Sequence, residues 1–254
     1  MAFRLFCLPR GGRGPVPMDG VFGHCNRSKA HYENHDIQTY EWIGSGPTVL
    51  LVHGFHSNSY RWRALVGRLI KEDYRVVAFD APGHGDSSGK LLNAPLYARV
   101  LHQVMQAQQP DFVIGHSIGG IAICLQAHLN PGNGAQRGTV LLGTPSKLRY
   151  LTNDFKKILD LSDRVIQKLD EYVKVETSFT IDSFDAAAFA KAISTPTLLV
   201  HAQDDRLIPV RDGREIAAAN PEFTYLEYEE GGHSLLNSRT YRDVMQFLQS
   251  LGKD

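Results

Sequence analysis

Apolar and polar positions follow two rhythms along the chain. Residues 48–53 (Thr-Val-Leu-Leu-Val-His), 74–80, 112–116, 138–142 and 196–201 are short apolar runs, the pattern of strands buried on both faces of a parallel sheet. Residues 37–43 alternate apolar and polar, as a half-exposed edge strand would, and 223–228 reads as a last strand. Between the runs the spacing is helical: Trp62, Leu65, Val66, Leu69 and Ile70 share one face, and 96–108, 210–219 and 239–251 carry similar stripes. Strands alternating with helices across short loops predict a doubly wound, mostly parallel α/β sheet.

Two stretches depart from that rhythm. Residues 10–30 are rich in Gly, Pro and Arg without periodicity, so 1–31 is read as an irregular lead-in to a domain spanning 32–254. Residues 146–192 interrupt the sheet pattern with charged helical segments, Phe155, Ile158, Leu159, Val165, Ile166 and Leu169 in the first and residues 179–192 in the second. Their place between two core strands favours a small helical lid over the strand ends, where such sheets bind ligands.

Composition narrows the classes. The 254 residues carry 27 basic and 27 acidic side chains, and this balance gives no reason to expect nucleic acid or an anionic membrane as a partner. Eleven histidines are scattered without metal-ligand spacing, so neither a metal nor another cofactor is expected. Three widely spaced cysteines, Cys7, Cys25 and Cys124, argue against a disulfide framework and for a reducing cytoplasm. The apolar run in residues 1–9 is too short, and is broken by Arg4, for a secretory leader.

The chemistry centres on residues 112–120, where a buried strand runs into Gly115-His116-Ser117-Ile118-Gly119 and then into the apolar run of residues 121–125. A sharp strand-to-helix turn exposes a serine oxygen, and flanking glycines let neighbouring backbone pass where a Cβ would clash. The helix N-terminus adds backbone donors facing developing negative charge.

Five motifs in order, His53-Gly54-Phe55, residues 80–87 (Asp-Ala-Pro-Gly-His-Gly-Asp-Ser), the Ser117 pentapeptide, Asp204-Asp205-Arg-Leu-Ile-Pro209 and Gly231-Gly232-His233, resemble the α/β-hydrolases from Tyr32 to the C-terminus. The resemblance implies an eight-stranded sheet and a Ser…Asp…His triad in that chain order. Ser117 is then the nucleophile, His233 the base and Asp205, four residues before Pro209, the acid. Asp204 becomes a turn residue or an acceptor behind the triad. The loop 143–146 offers no alternative acid. Backbone N–H groups of Ile118 and Phe55 would form the oxyanion hole, each worth roughly 3–4 kcal/mol.

Beside these, His53 is expected to brace the oxyanion loop, His84 and Asp86 to hold a structural turn, and His116 to fill a variable elbow position. His56 either lines the pocket or faces solvent. Trp62, Phe55, Tyr150, Phe155 and Phe179 either shape an acyl pocket or pack in the core.

The implied activity is cofactor-free hydrolysis of a small to medium carboxylic ester through an acyl-enzyme. A thioesterase, lactonase, amidase or C–C bond hydrolase would use the same triad, and a non-catalytic ligand receptor can keep one. Haloalkane and epoxide chemistry are disfavoured, because those branches place Asp where Ser117 stands.

Overall fold

The computed structural model describes residues 7–9, 12, 14–135 and 137–252. Most of the short apolar run in 1–9 and part of the lead-in therefore lie outside the described residues. Eight strands form one sheet in the order β1-β2-β4-β3-β5-β6-β7-β8. They are β1 Asn26–Tyr32, β2 His35–Trp42, β3 Thr48–Val52, β4 Arg75–Phe79, β5 Phe112–His116, β6 Gly138–Leu142, β7 Thr197–Ala202 and β8 Thr224–Tyr228. β2 pairs antiparallel with β1 and with β4, and all other neighbours pair in parallel. The doubly wound, mostly parallel eight-stranded sheet is the fold the apolar runs and the resemblance implied.

The core divides according to the two-residue period of a strand. Val49 and Leu51 of β3, Val76 and Ala78 of β4, and Phe112 and Ile114 of β5 join one apolar layer. Leu50, Val52, Val77, Phe79 and Val113 join the opposite one. The first layer is closed by helices α1 Arg63–Leu69 and α8 Ser238–Ser250. The second is closed by α2 Ala94–Gln108, α3 Ile118–Leu129, α6 Ala186–Ala190 and α7 Val210–Ala219. With helices on both faces, β3, β5, β6 and β7 are buried along their whole length, which is why they read as unbroken apolar runs.

Three readings are corrected. Residues 26–31, placed in an irregular lead-in, form β1 together with Tyr32; its register runs from Asn26 opposite Glu41 to Tyr32 opposite His35. Nearly every residue of β1 is exposed, so its polar sequence carries no alternation to detect. Because β1 takes the edge, β2 is an inner strand and not the edge strand expected for 37–43. Finally, the second helical patch of 146–192 condenses to α6, only five residues long. Its Phe189 joins Phe184 and Ile193 in the core layer. The exposed part of the insertion is α4 Leu148–Ile158 and α5 Asp163–Thr177, which bury only Thr152, Leu169 and Val173.

The chain leaves β3 for β4 on one side and reaches β5 on the other, so the order reverses between β3 and β5. Loops leaving the C-terminal ends of these two strands diverge there and open a crevice. Among the described residues no helix is long and apolar enough to cross a membrane.

Candidate active site

Ser117 stands at that crevice, between the last residue of β5 and the first of α3. Its backbone sits at φ 54, ψ −122, a conformation that costs a non-glycine residue of order 1–3 kcal/mol and persists only when its surroundings enforce it. Enforcement is visible: the Ser117 N–H donates to the Leu142 carbonyl (2.9 Å), and its own carbonyl accepts from Gly120 N (2.9 Å) and Ile121 N (3.2 Å). The glycines are needed for close approach. A Cβ on Gly119 would strike the Val52 and His53 carbonyls, and one on Gly115 would come within 2.9 Å of the Gly119 backbone.

Two other strand ends deliver the partners. Ser117 Oγ lies 3.1 Å from His233 Nε2, and His233 Nδ1 lies 2.8 Å from Asp205 Oδ2. Asp205 follows β7 and is buried. Its other oxygen accepts from Leu207 N (2.9 Å) and Ile208 N (2.8 Å). Burial alone would push this carboxyl up, but the His233 hydrogen bond and the Ile208 and Leu207 donors outweigh it and hold the group below the usual carboxylate range. Asp204 faces elsewhere: its Oδ1 accepts from Gly232 N at 2.7 Å, the residue before His233. The chain therefore joins Ser117, His233 and Asp205, and sets Asp204 to hold the loop.

Phe55 and Ile118 line the same cleft as Ser117. His53 Nε2 accepts from Ala81 N (2.9 Å), leaving Nδ1–H to donate to the Gly54 carbonyl (2.8 Å). Since a peptide is planar, that bond fixes the plane carrying the Phe55 N–H. Burial drives His53 well below the usual imidazole range, so it stays neutral and keeps this tautomer. His84 Nε2 contacts the Phe55 carbonyl. Asp86 accepts from Arg27 (2.9 Å) and Tyr40 (2.9 Å), while buried Asp80 accepts from Ser59 N, Asp86 N and Tyr40. The bracing roles read for His53, His84 and Asp86 match these contacts.

The cleft measures about 400 Å³, within the range of small-ligand sites. Its walls are mainly apolar. Leu148, Leu151, Phe155 and Val173 come from the insertion, and Cys7 and Leu8 come from the N-terminal segment. His56, left open above, lines it, whereas Trp62 is fully buried in the core. Asp154 also lines it and makes no hydrogen bond or ion pair among the described residues. Burial raises the Cys7 thiol to about 12, which keeps it protonated and apolar.

Two contacts near Ser117 and His233 were not anticipated: His116 was read only as filling a variable elbow position, and Arg61 was not singled out. His116 Nε2 donates to the His233 carbonyl (2.7 Å), and His116 Nδ1 accepts from Arg61 (2.7 Å), which also donates to the Ser234 carbonyl (2.9 Å). Nothing in the pattern marks Arg61, which adjoins an amphipathic helix as a surface cation would.

A family model for the alpha/beta hydrolase family matches residues 49–246, well over half of the chain. The chain belongs to this family. Among curated proteins, this alpha/beta hydrolase is 26% identical to a non-heme haloperoxidase of Rhodococcus erythropolis, with 83% of this chain and 94% of that protein covered. Two other relatives are an abhydrolase domain-containing protein of Dictyostelium discoideum (24% identical) and a fluoroacetate dehalogenase of Burkholderia (37% identical). Their matches cover 63% and 30% of this chain but only 21% and 28% of those proteins' lengths. Among solved structures, an esterase of Pyrococcus furiosus superposes with a TM-score of 0.69 at 18% identity, covering 96% of this chain and 98% of that one. At that identity the likeness speaks for the fold.

Proposed function

We propose that this alpha/beta hydrolase is a serine hydrolase that cleaves a small to medium carboxylic ester through an acyl-enzyme. The observation that carries the reading is the unbroken line Asp205–His233–Ser117, with links of 2.8 and 3.1 Å. A serine is a poor nucleophile until a base within hydrogen-bond reach takes its proton.

In this reading His233 Nε2 accepts the Ser117 proton as Oγ attacks the ester carbonyl. Asp205 holds the imidazole with Nε2 towards the serine and stabilises the imidazolium that forms. The tetrahedral oxyanion accepts from the Ile118 and Phe55 N–H groups. The imidazolium returns its proton to the departing alkoxide, and the acyl group remains on Ser117. Water, deprotonated by the same His233, then releases the acid and regenerates the serine.

The apolar wall of α4 and α5 is read as a lid that seats the acyl chain. The Asp154 carboxylate in that wall, without a partner among the described residues, favours a neutral chain over an anionic one. Three free thiols support a cytoplasmic setting.

The test is labelling with a fluorophosphonate, read by intact mass. One adduct on the wild type and none on Ser117→Ala is expected. A folded wild type without an adduct would instead favour a non-catalytic ligand receptor. A panel of p-nitrophenyl esters and matched thioesters of increasing chain length then ranks the substrate classes.

A further inference from the structure

Arg61 is the least expected group in the molecule. It is buried, and no carboxylate pairs with it among the described residues. Among the described residues its Nε has no hydrogen-bond partner, and the guanidinium lies 4.7 Å from the Trp62 ring centroid. A buried cation without an acid is costly to keep. Its two satisfied donors both lead to the His233 loop, one directly through the Ser234 carbonyl and one through His116 to the His233 carbonyl.

That loop needs holding. Gly231 and Gly232 precede His233 with φ of 158 and 55, and Ser234 after it is exposed. Asp205 constrains the imidazole and Asp204 constrains Gly232, but neither fixes the main chain at His233 itself. Arg61 donates to His116 Nδ1, so the remaining proton of a neutral His116 must sit on Nε2. That proton points at the His233 carbonyl. Burial, and after it the Arg61 charge, keep His116 well below the usual imidazole range, so it remains a single-proton relay.

We infer that Arg61 and His116 are positioning residues for the base: Arg61 sets the His116 tautomer, and together they clamp two successive carbonyls so that His233 Nε2 meets Ser117. This assignment rests on the serine-hydrolase reading above. It extends that reading to two residues that touch no substrate.

Histidine's two nitrogens can be mimicked separately. Gln at 116 places an N–H near the Nε2 position, whereas Asn reaches only the Nδ1 position. The fluorophosphonate labelling rate, ester kcat and KM, and melting temperature are measured for wild type, Ser117→Ala, His116→Gln, His116→Asn and Arg61→Lys. Expected is a labelling rate and kcat lowered about 10²-fold in His116→Asn and at least tenfold in Arg61→Lys, with KM within about twofold. His116→Gln is expected within about fivefold of wild type. Wild-type rates in a folded His116→Asn would overturn the assignment, as would a His116→Gln as slow as Asn, since packing alone would then explain both. A wild type that takes no label would overturn the hydrolase reading itself, an outcome separate from equal rates among labelled variants.

Discussion

Asp204 and Asp205 are neighbours in one loop and grip neighbours in another loop of the same chain: Asp205 holds the His233 imidazole at 2.8 Å, and Asp204 holds the Gly232 N–H at 2.7 Å. The pair divides orientation of the ring from placement of its backbone. Asp205→Asn is expected to lower kcat/KM by about 10⁴-fold, because the amide offers Nδ1–H a poorer and ambiguous partner. Asp204→Asn keeps an acceptor oxygen and is expected to stay within about tenfold. Steady-state kinetics on one activated ester checks the ranking, and the reverse order would move the acid to Asp204.

Loss of either end of the line should be more severe. Ser117→Ala and His233→Ala are each expected to remove roughly 10⁴- to 10⁶-fold of kcat/KM, and the double mutant little more than either alone. Circular dichroism and melting curves should remain near wild type, because neither side chain carries core packing. Additive losses in the double mutant would mean that the two do not act as a unit.

Acid should reveal the Asp205 linkage. Its folded carboxyl titrates below the usual range, so folding favours the ionised form. The stability this supplies is present above the unfolded value of about 3.9 and is lost as pH falls through the lower folded value. Urea unfolding is therefore expected to separate wild type from Asp205→Asn more widely at about pH 6 than at about pH 3. A gap that stays constant across that range would show that the folded carboxyl is not depressed.

Two phenylalanines of the insertion should behave differently. Phe184 is 4% exposed within the core layer, and Phe184→Ala is expected to cost about 3–5 kcal/mol of stability. Phe155 faces the cleft and is only half-buried. Phe155→Ala is expected to shift the preferred acyl length, measured as kcat/KM across the ester panel, with a stability change under about 1.5 kcal/mol. Equal destabilisation by both would make α4 core and not lid.

Asp154 offers a charge test. For a half-ester of a dicarboxylic acid, Asp154→Asn is expected to raise kcat/KM about tenfold, while a neutral ester of equal length changes little. Indifference of both substrates would place the acyl chain away from α4.

The parallel core was legible because burial on both faces writes itself as continuous Val, Leu and Ile; the meeting of Ser117, His233 and Asp205 was anticipated because the resembling motifs place each after a strand end in a fixed order. What escaped was either exposed or three-dimensional. β1 has polar residues at almost every position because it packs so little, so no period marks it. Arg61 lies 55 residues from His116 and 173 from Ser234, and only the folded chain shows the guanidinium turned inward. His116 looked interchangeable because the elbow geometry constrains Ser117 and the glycines, not the residue between them.

The cleft's walls carry a last consequence. Cys7 and Leu8 meet α4, α5 and the elbow around a single space, and the Cys7 carbonyl accepts from Leu92 N at 2.9 Å. An acyl group seated there would touch segments more than a hundred residues apart at once. Occupancy and local order would then be one equilibrium: a ligand that needs both walls would favour the arrangement in which both are in place, and loosening residues 7–8 would weaken binding while Ser117, His233 and Asp205 stay where they are.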